Sequence, residues 1–297
     1  MTDRSFRFGV VSGGVQSPGQ WTKFVHRVED TGYASLMIPD AFGGTAPFPA
    51  LASAAAVSTG LRLGTFVLAA PLRTPTSIAW DAASVDRLSG GRLELGLGAG
   101  RPGAKAEADL LGVPFGSPGE RVEQVARTIE VVRTRFADAI AAADAQPGEA
   151  MSATGGFLPV QRPTPPILIA GNGRKLLTVA AEHADIVSIG LAADPTERAL
   201  GERVAMLREL AGDRFDELEL NLNIFSVGTE IPPWMAQFGV DASRAADNQD
   251  VRVLTGDLAG IADVLRRRRD EFGISYVMVN SFAAEAFAPL VEQLAGH

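Results

Sequence analysis

The chain has 297 residues, with 27 Lys and Arg against 35 Asp and Glu, a formal net charge of −8, and no cysteine. This balance excludes disulfides, thiolate metal sites and cysteine nucleophiles, and argues against nucleic acid or an anionic membrane as the main partner. Hydrophobic residues make up 46% and charged residues 21%, a globular composition, and only three histidines (His26, His183, His297) are present for metal chemistry.

Phe6–Val11 predicts a first strand, and Pro18–Thr31 a helix with Trp21, Phe24, Val25 and Val28 at helical spacing. Ala34–Ile38 is a second strand, followed by the alanine-rich helix Pro49–Ser58, closed by Gly60. Leu63–Leu68 with Pro75–Leu88, and Arg92–Leu97 with the helix Pro118–Phe136, make a third and a fourth unit. Four more follow: Ile167–Ala170 with Arg174–His183, Ile186–Ile189 with Pro195–Leu210, Leu218–Val227 with Leu258–Phe272, and Ile274–Asn280 with Ala284–Leu294. Strict alternation predicts a parallel sheet, and eight units are the number that closes a (β/α)8 TIM barrel. A doubly wound open sheet is the competing α/β architecture. The expected organisation is therefore one barrel domain over residues 1–297, although about 150 residues per domain would suggest two.

Three segments break the alternation: Arg101–Ser117 after strand four, Ala137–Pro165 before strand five, and Thr229–Gly256 after strand seven. The first and third leave strand C-terminal ends, where barrel enzymes build active sites. No apolar core follows the charged N-terminus, and no run reaches the roughly 18 apolar residues of a membrane helix. The expected location is the cytoplasm.

The most informative run is Asp86-Arg87-Leu88-Ser89-Gly90-Gly91-Arg92-Leu93-Glu94-Leu95-Gly96-Leu97-Gly98-Ala99-Gly100. A helix ends, the chain turns sharply, and a strand follows with glycine at every second position. Such glycines leave room on one face for a planar group or for a neighbouring backbone. Gly98 to Gly103 also spells the dinucleotide fingerprint, but no clean βαβ unit with a terminal acid follows, and Pro102 sits in the turn.

The run resembles the luciferase-like monooxygenase superfamily, (β/α)8 barrels that use FMN or the deazaflavin F420. Gly64–Pro75, Pro165–Gly173 and Ala181–Val187 match it in the same order, and the pattern is most similar to the actinobacterial F420-dependent branch. The resemblance implies an oxidoreductase that passes a hydride between deazaflavin C5 and a small organic substrate; the sequence leaves the direction open, with reduction of an activated C=C or C=N bond as one expectation. An FMN-dependent monooxygenase and a non-catalytic flavin-binding barrel are the alternatives. A homodimer is implied too, as is a separate F420 or flavin reductase as a partner.

Gly171-Asn172-Gly173-Arg174-Lys175 opens a helix just after a strand. Free amides, glycines that admit an anion, and two cations together suit a phosphate, and the resemblance puts the cofactor phosphate here. By the same resemblance Ala69 and Ala70 support the ring, at a place where relatives carry a bulge and some a non-prolyl cis bond. Asp40 stands where F420 relatives have an Asp-His pair, but Ala41 replaces the histidine, so Asp40 alone would hold the ring edge or relay a proton. Gly98 adjoins the expected cofactor site. Arg101 replaces a glutamate of some F420 enzymes and, as a permanent cation, would bind an acidic substrate or the cofactor's polyglutamate tail. Glu107 matches an acid common in that loop, with a catalytic or a structural role open. Asn223, Phe225 and Asn280 are candidate pocket residues. Arg266 to Arg269 read as a solvated helix face pairing with Asp263 and Asp270, and His26 and His183 as ordinary helix residues.

Overall fold

The computed structural model describes residues 4–14, 17–101, 103–145, 154–191, 194–228, 235–236, 240 and 250–297. The chain begins with β1 (Arg7–Val11), α1 (Pro18–Asp30), β2 (Ser35–Ile38), α2 (Pro47–Ala55), β3 (Arg62–Thr65), β4 (Leu68–Ala69), α3 (Pro75–Leu88), β5 (Leu93–Gly98), α4 (Ala104–Leu111) and α5 (Pro118–Ala145). It continues with β6 (Ile167–Gly171), α6 (Arg174–His183), β7 (Ile186–Ile189), α7 (Glu197–Ala211), β8 (Glu219–Ile224), β9 (Ser226–Val227), β10 (Val253–Leu254), α8 (Leu258–Phe272), β11 (Ile274–Asn280) and α9 (Ala284–Leu294). Two compact units result. One comprises Met1–Ser12, Arg27–Leu36 and Ala170–His297; the other comprises Gly13–His26 and Met37–Ile169.

In the first unit β1 pairs with β11, β11 with β8 and β8 with β7, all parallel. One face of these strands carries a polar layer. Arg7 grips Glu219 through two bonds of 2.7 and 2.6 Å and lies 3.6 Å over the Tyr276 ring, whose hydroxyl bonds Ser35. Gly9 sits among them because a Cβ there would collide with the Ser35 hydroxyl and press on Tyr276. The other face of β1 is apolar: Phe8 stacks on Phe6 and meets Phe287 of α9 edge-on at 5.4 Å. The strand expected over Leu218–Val227 is interrupted at Phe225, whose amide turns to the Arg252 carbonyl. β9 beyond it pairs with β10 as a separate two-stranded sheet.

In the second unit β3 and β4 both pair with β5, and β5 pairs with β6. The strand expected over Leu63–Leu68 is thus two short strands, and the non-prolyl cis bond lies between them at Phe66–Val67 rather than at Ala69–Ala70. Gly96 answers the question left open by the glycine row: a Cβ would collide with the Thr65 carbonyl, so this glycine admits a neighbouring backbone. The charges of the Asp86–Arg92 run are spent on the fold. Asp86, fully buried, accepts from the amides of Val160 and Gln161 and from the Gln161 side chain. Arg87 donates to the carbonyls of Gly156 and Leu158, while Arg92 reaches Ser58, Leu61 and Ala55.

Two expected irregular segments are partly helical. Residues 104–111 within Arg101–Ser117 form α4, and α5 runs on past Phe136 to Ala145 because buried Ala139 and Ala143 continue its apolar stripe in a strongly helix-forming stretch. The rest of Ala137–Pro165 up to residue 153, most of Thr229–Gly256, and Pro102 lie outside the described residues.

Arg268 departs from the expected solvated arginine face. It is buried, donates to Glu197 and to the Val251 carbonyl, and desolvation lowers its pKa although Glu197 opposes this. Arg266 pairs with Asp263 and Arg269 with Asp270, as expected, while Arg267 reaches Glu197.

Candidate functional site

Within the second unit, the C-terminal ends of β2, β4 and β5 carry the first cluster. Asp40 follows β2, and its side chain is only 5% exposed. Its Oδ2 accepts the Ala69 amide at 3.1 Å and one arm of the Arg73 guanidinium, while the other arm reaches Oδ1 at 2.9 Å. Ala69 in turn is the register partner of Gly98 on β5. Asp40, Ala69 and Gly98 therefore do lie together, and buried Ala70 begins the short 3-10 turn Ala70–Leu72 that delivers Arg73. Sequence reasoning missed Arg73; its only signal is a cation two residues before the Pro75 that starts α3. For Asp81 on α3, burial raises the pKa above its ordinary value, with Arg73 opposing the shift.

The second cluster is on α4, which packs Ala104 and Ala108 against Ala69 and Leu72, with Val113 and Phe115 alongside. Glu107 is on the same helix and is buried. Its Oε1 accepts the Phe42 amide at 3.0 Å and pairs with Arg101, so one carboxylate ties the loop after β2 to the loop after β5. Its Oε2 is buried without a partner. Leaving such an acceptor unmade costs about 1–3 kcal/mol, more for a charged group, and marks a place where a ligand, a proton or water completes the bonding. The Arg101 side chain is half-exposed.

In the first unit the Gly171–Lys175 turn has the features an anion needs. Gly173 caps α6 in extended conformation, and no side chain accepts from the first-turn amides. Asn172, Gly173, Arg174 and Lys175 are exposed and Gly171 half-buried. Arg174 is engaged by Glu209 at 2.7 Å, an exposed pair that a stronger anion could displace; Lys175 has no ion-pair partner among the described residues. The donor set fits a phosphate: uncapped amides at a helix start beside an uncommitted ammonium.

The remaining candidates separate. Asn223 shares its β8 face with Asn221, and the Oδ1 of each is buried without a partner, whereas the Asn221 amide donates to the Tyr276 carbonyl. Phe225 packs with Met235, Val240 and Val253. Asn280 ends β11 half-buried. His26 lies on α1 and His183 on α6. No group of three or more metal-ligating side chains occurs among the described residues.

Residues 5–230 match the family model described as luciferase-like monooxygenase. The chain belongs to the luciferase-like monooxygenase family. A Mycobacterium tuberculosis protein provisionally named a coenzyme F420-dependent oxidoreductase is 32% identical over 183 residues, which cover 58% of this chain and 51% of that protein. The chain thus spans about half the length of this relative. Among solved structures, the coenzyme F420-dependent tetrahydromethanopterin reductase of Methanopyrus kandleri has a TM-score of 0.65 at 18% identity, covering 96% of this chain and 98% of that one. A riboflavin lyase determined with modified FMN and riboflavin has a TM-score of 0.76 at 16% identity, covering 99% and 93%. At these identities the likeness shows the fold alone. That fold is the luciferase-like (β/α)8 barrel, a parallel sheet with helices between its strands, and not an open doubly wound sheet.

Proposed function

We propose that this luciferase-like protein is an F420-dependent oxidoreductase acting on a small organic substrate. The observation that carries a cofactor site is the uncapped start of α6 with Lys175 beside it, where a phosphate would be held by the amides after Gly173 and by the Arg174 and Lys175 side chains. F420 rather than FMN is supported by the name of the mycobacterial relative. When bound, the deazaflavin would supply the hydride chemistry at its C5, and the protein would supply orientation, exclusion of water and a route for one proton. Glu107 suits the last task best among the buried acids near the strand ends, since Oε2 is open while Oε1 is anchored. The proposed direction is reduction of an activated C=C or C=N bond. The proposed assembly is a single-domain homodimer in the cytoplasm.

An FMN-dependent monooxygenase is the second reading, and the likeness to a fold solved with modified FMN favours it. A flavin-binding barrel without turnover is the third, favoured by Ala41 and Arg101 standing where F420 relatives carry acid–base residues. Titrating the purified protein with F420, reduced F420 and FMN and following fluorescence separates them. Tighter binding of F420 is expected, and tighter binding of FMN would overturn the leading reading. Tight binding without redox change across a broad substrate panel would favour the third. Replacing Arg174 and Lys175 together by Ala should weaken cofactor affinity about tenfold or more, and an unchanged affinity would refute the phosphate assignment.

A further inference from the structure

We propose that Arg73 is a positioning residue for this site, and that it makes Asp40 a backbone clamp on the end of β4 rather than a carrier of protons. Arg73 lies 33 positions beyond Asp40 in the chain, yet its guanidinium faces the carboxylate with both arms. The same carboxylate accepts the Ala69 amide, the last one of β4. One charged pair therefore fixes the loop after β2, the tip of β4 and the turn Ala70–Leu72 against one another. Without Arg73, the Asp40 carboxylate, only 5% exposed, would keep the Ala69 amide and lose both guanidinium contacts. A planar bidentate pair fixes direction as well as distance, which a single bond does not.

The position occupied by Ala41, next to Asp40, has no ionisable side chain with which a proton could be shared. No hydrogen bond or ion pair joins Asp81 of α3 to Arg73 among the described contacts, whereas Asp40 holds both arms. The clamp holds the backbone at Ala69 and Ala70, which would support the ring of the cofactor in the function proposed above, as the family resemblance implies. This consequence rests on that reading, whereas the clamp itself does not.

The test compares Arg73→Ala, Arg73→Lys and Asp40→Asn with the wild-type chain by three measurements. Amide hydrogen exchange over residues 66–72, without cofactor, should rise about tenfold or more in Arg73→Ala and in Asp40→Asn, and leave α7 and α8 unchanged. Affinity for whichever of F420 or FMN the wild type binds should fall by about tenfold or more in both, with guanidinium ion added to Arg73→Ala restoring part of it and sodium chloride restoring none. Arg73→Lys keeps the charge but loses the fork, so it should fall between wild type and Arg73→Ala in both readouts and serves as the test if Arg73→Ala does not fold. In Asp40→Asn the pH profile of turnover should keep its shape. Unchanged exchange over 66–72 in Arg73→Ala and Arg73→Lys overturns the proposal. So does an Asp40→Asn protein that binds cofactor normally but loses one limb of its pH profile. Failure of the wild type to bind F420 counts against the cofactor assignment only, since the exchange measurement needs no cofactor.

Discussion

Glu107 has one oxygen held by the Phe42 amide and Arg101 and a second, equally buried, with no partner. Substituting glutamine keeps an acceptor for the amide but puts a donor where the open oxygen was. Glu107→Gln should therefore fold with a melting temperature within about 4 °C of wild type while turnover falls on the order of 100-fold. Unaltered turnover would show that the open oxygen is a packing feature. Asp81 gives a pH dependence of known sign. Burial raises its folded pKa, so it contributes stability at low pH that is lost as pH rises through the folded value. Asp81→Asn should then be more heat-stable than wild type at neutral pH, with the difference vanishing in acid; a denaturation series across pH measures it. Asp40, Ala69, Gly98, Arg101 and Glu107 were candidates because the family resemblance marks the strand ends and the loop after β5. Arg73 was not, since nothing in its neighbours says that a guanidinium will fold back across 33 residues.

The strand–helix alternation was readable element by element, because apolar runs of strand length and stripes of helical spacing differ in period. Helix starts were readable too. Ser117 and Glu120 form a reciprocal cap on α5, with the Ser117 amide donating to Glu120 Oε2 at 2.7 Å, and that bond lowers the Glu120 pKa. The cap contributes above the unfolded pKa of Glu120 and weakens as pH falls, so Glu120→Ala should fray α5 at neutral pH and change nothing in strong acid, as measured by exchange of its first-turn amides. What periodicity could not supply were the breaks inside elements. The strand expected over Leu63–Leu68 divides at Phe66–Val67 and that over Leu218–Val227 at Phe225, because backbone partners from other segments take over there. Gly96 is of the same kind: only the Thr65 carbonyl shows why a side chain is excluded. Gly96→Ala should cost about 1–3 kcal/mol in denaturant unfolding, while Gly173→Ala, whose added Cβ meets nothing, should cost less.

For the whole molecule, the family match over residues 5–230 and the fold likeness over nearly the full chain agree with the alternation of eight strand–helix units. In the proposed function the cofactor would carry the chemistry, which asks for neither a cysteine nucleophile nor a histidine metal site. A ligand that binds only the folded state stabilises it by mass action, about 2.7 kcal/mol at 100 times its dissociation constant. Saturating F420 should accordingly raise the melting temperature more than FMN at equal concentration, and the reverse order would support the FMN reading. The sequence by itself determined the class of fold and the family, because those properties rest on local periodicity and on short runs of adjacent residues, and it offered 171–175 as the phosphate turn that the proposed function uses. Only the tertiary structure decided which charges are free. It showed the Asp86–Arg92 run, Arg268 and Asp40 engaged and the Glu107 Oε2 open. The partner of a buried charge is chosen by folding across tens of residues, and no local pattern encodes it.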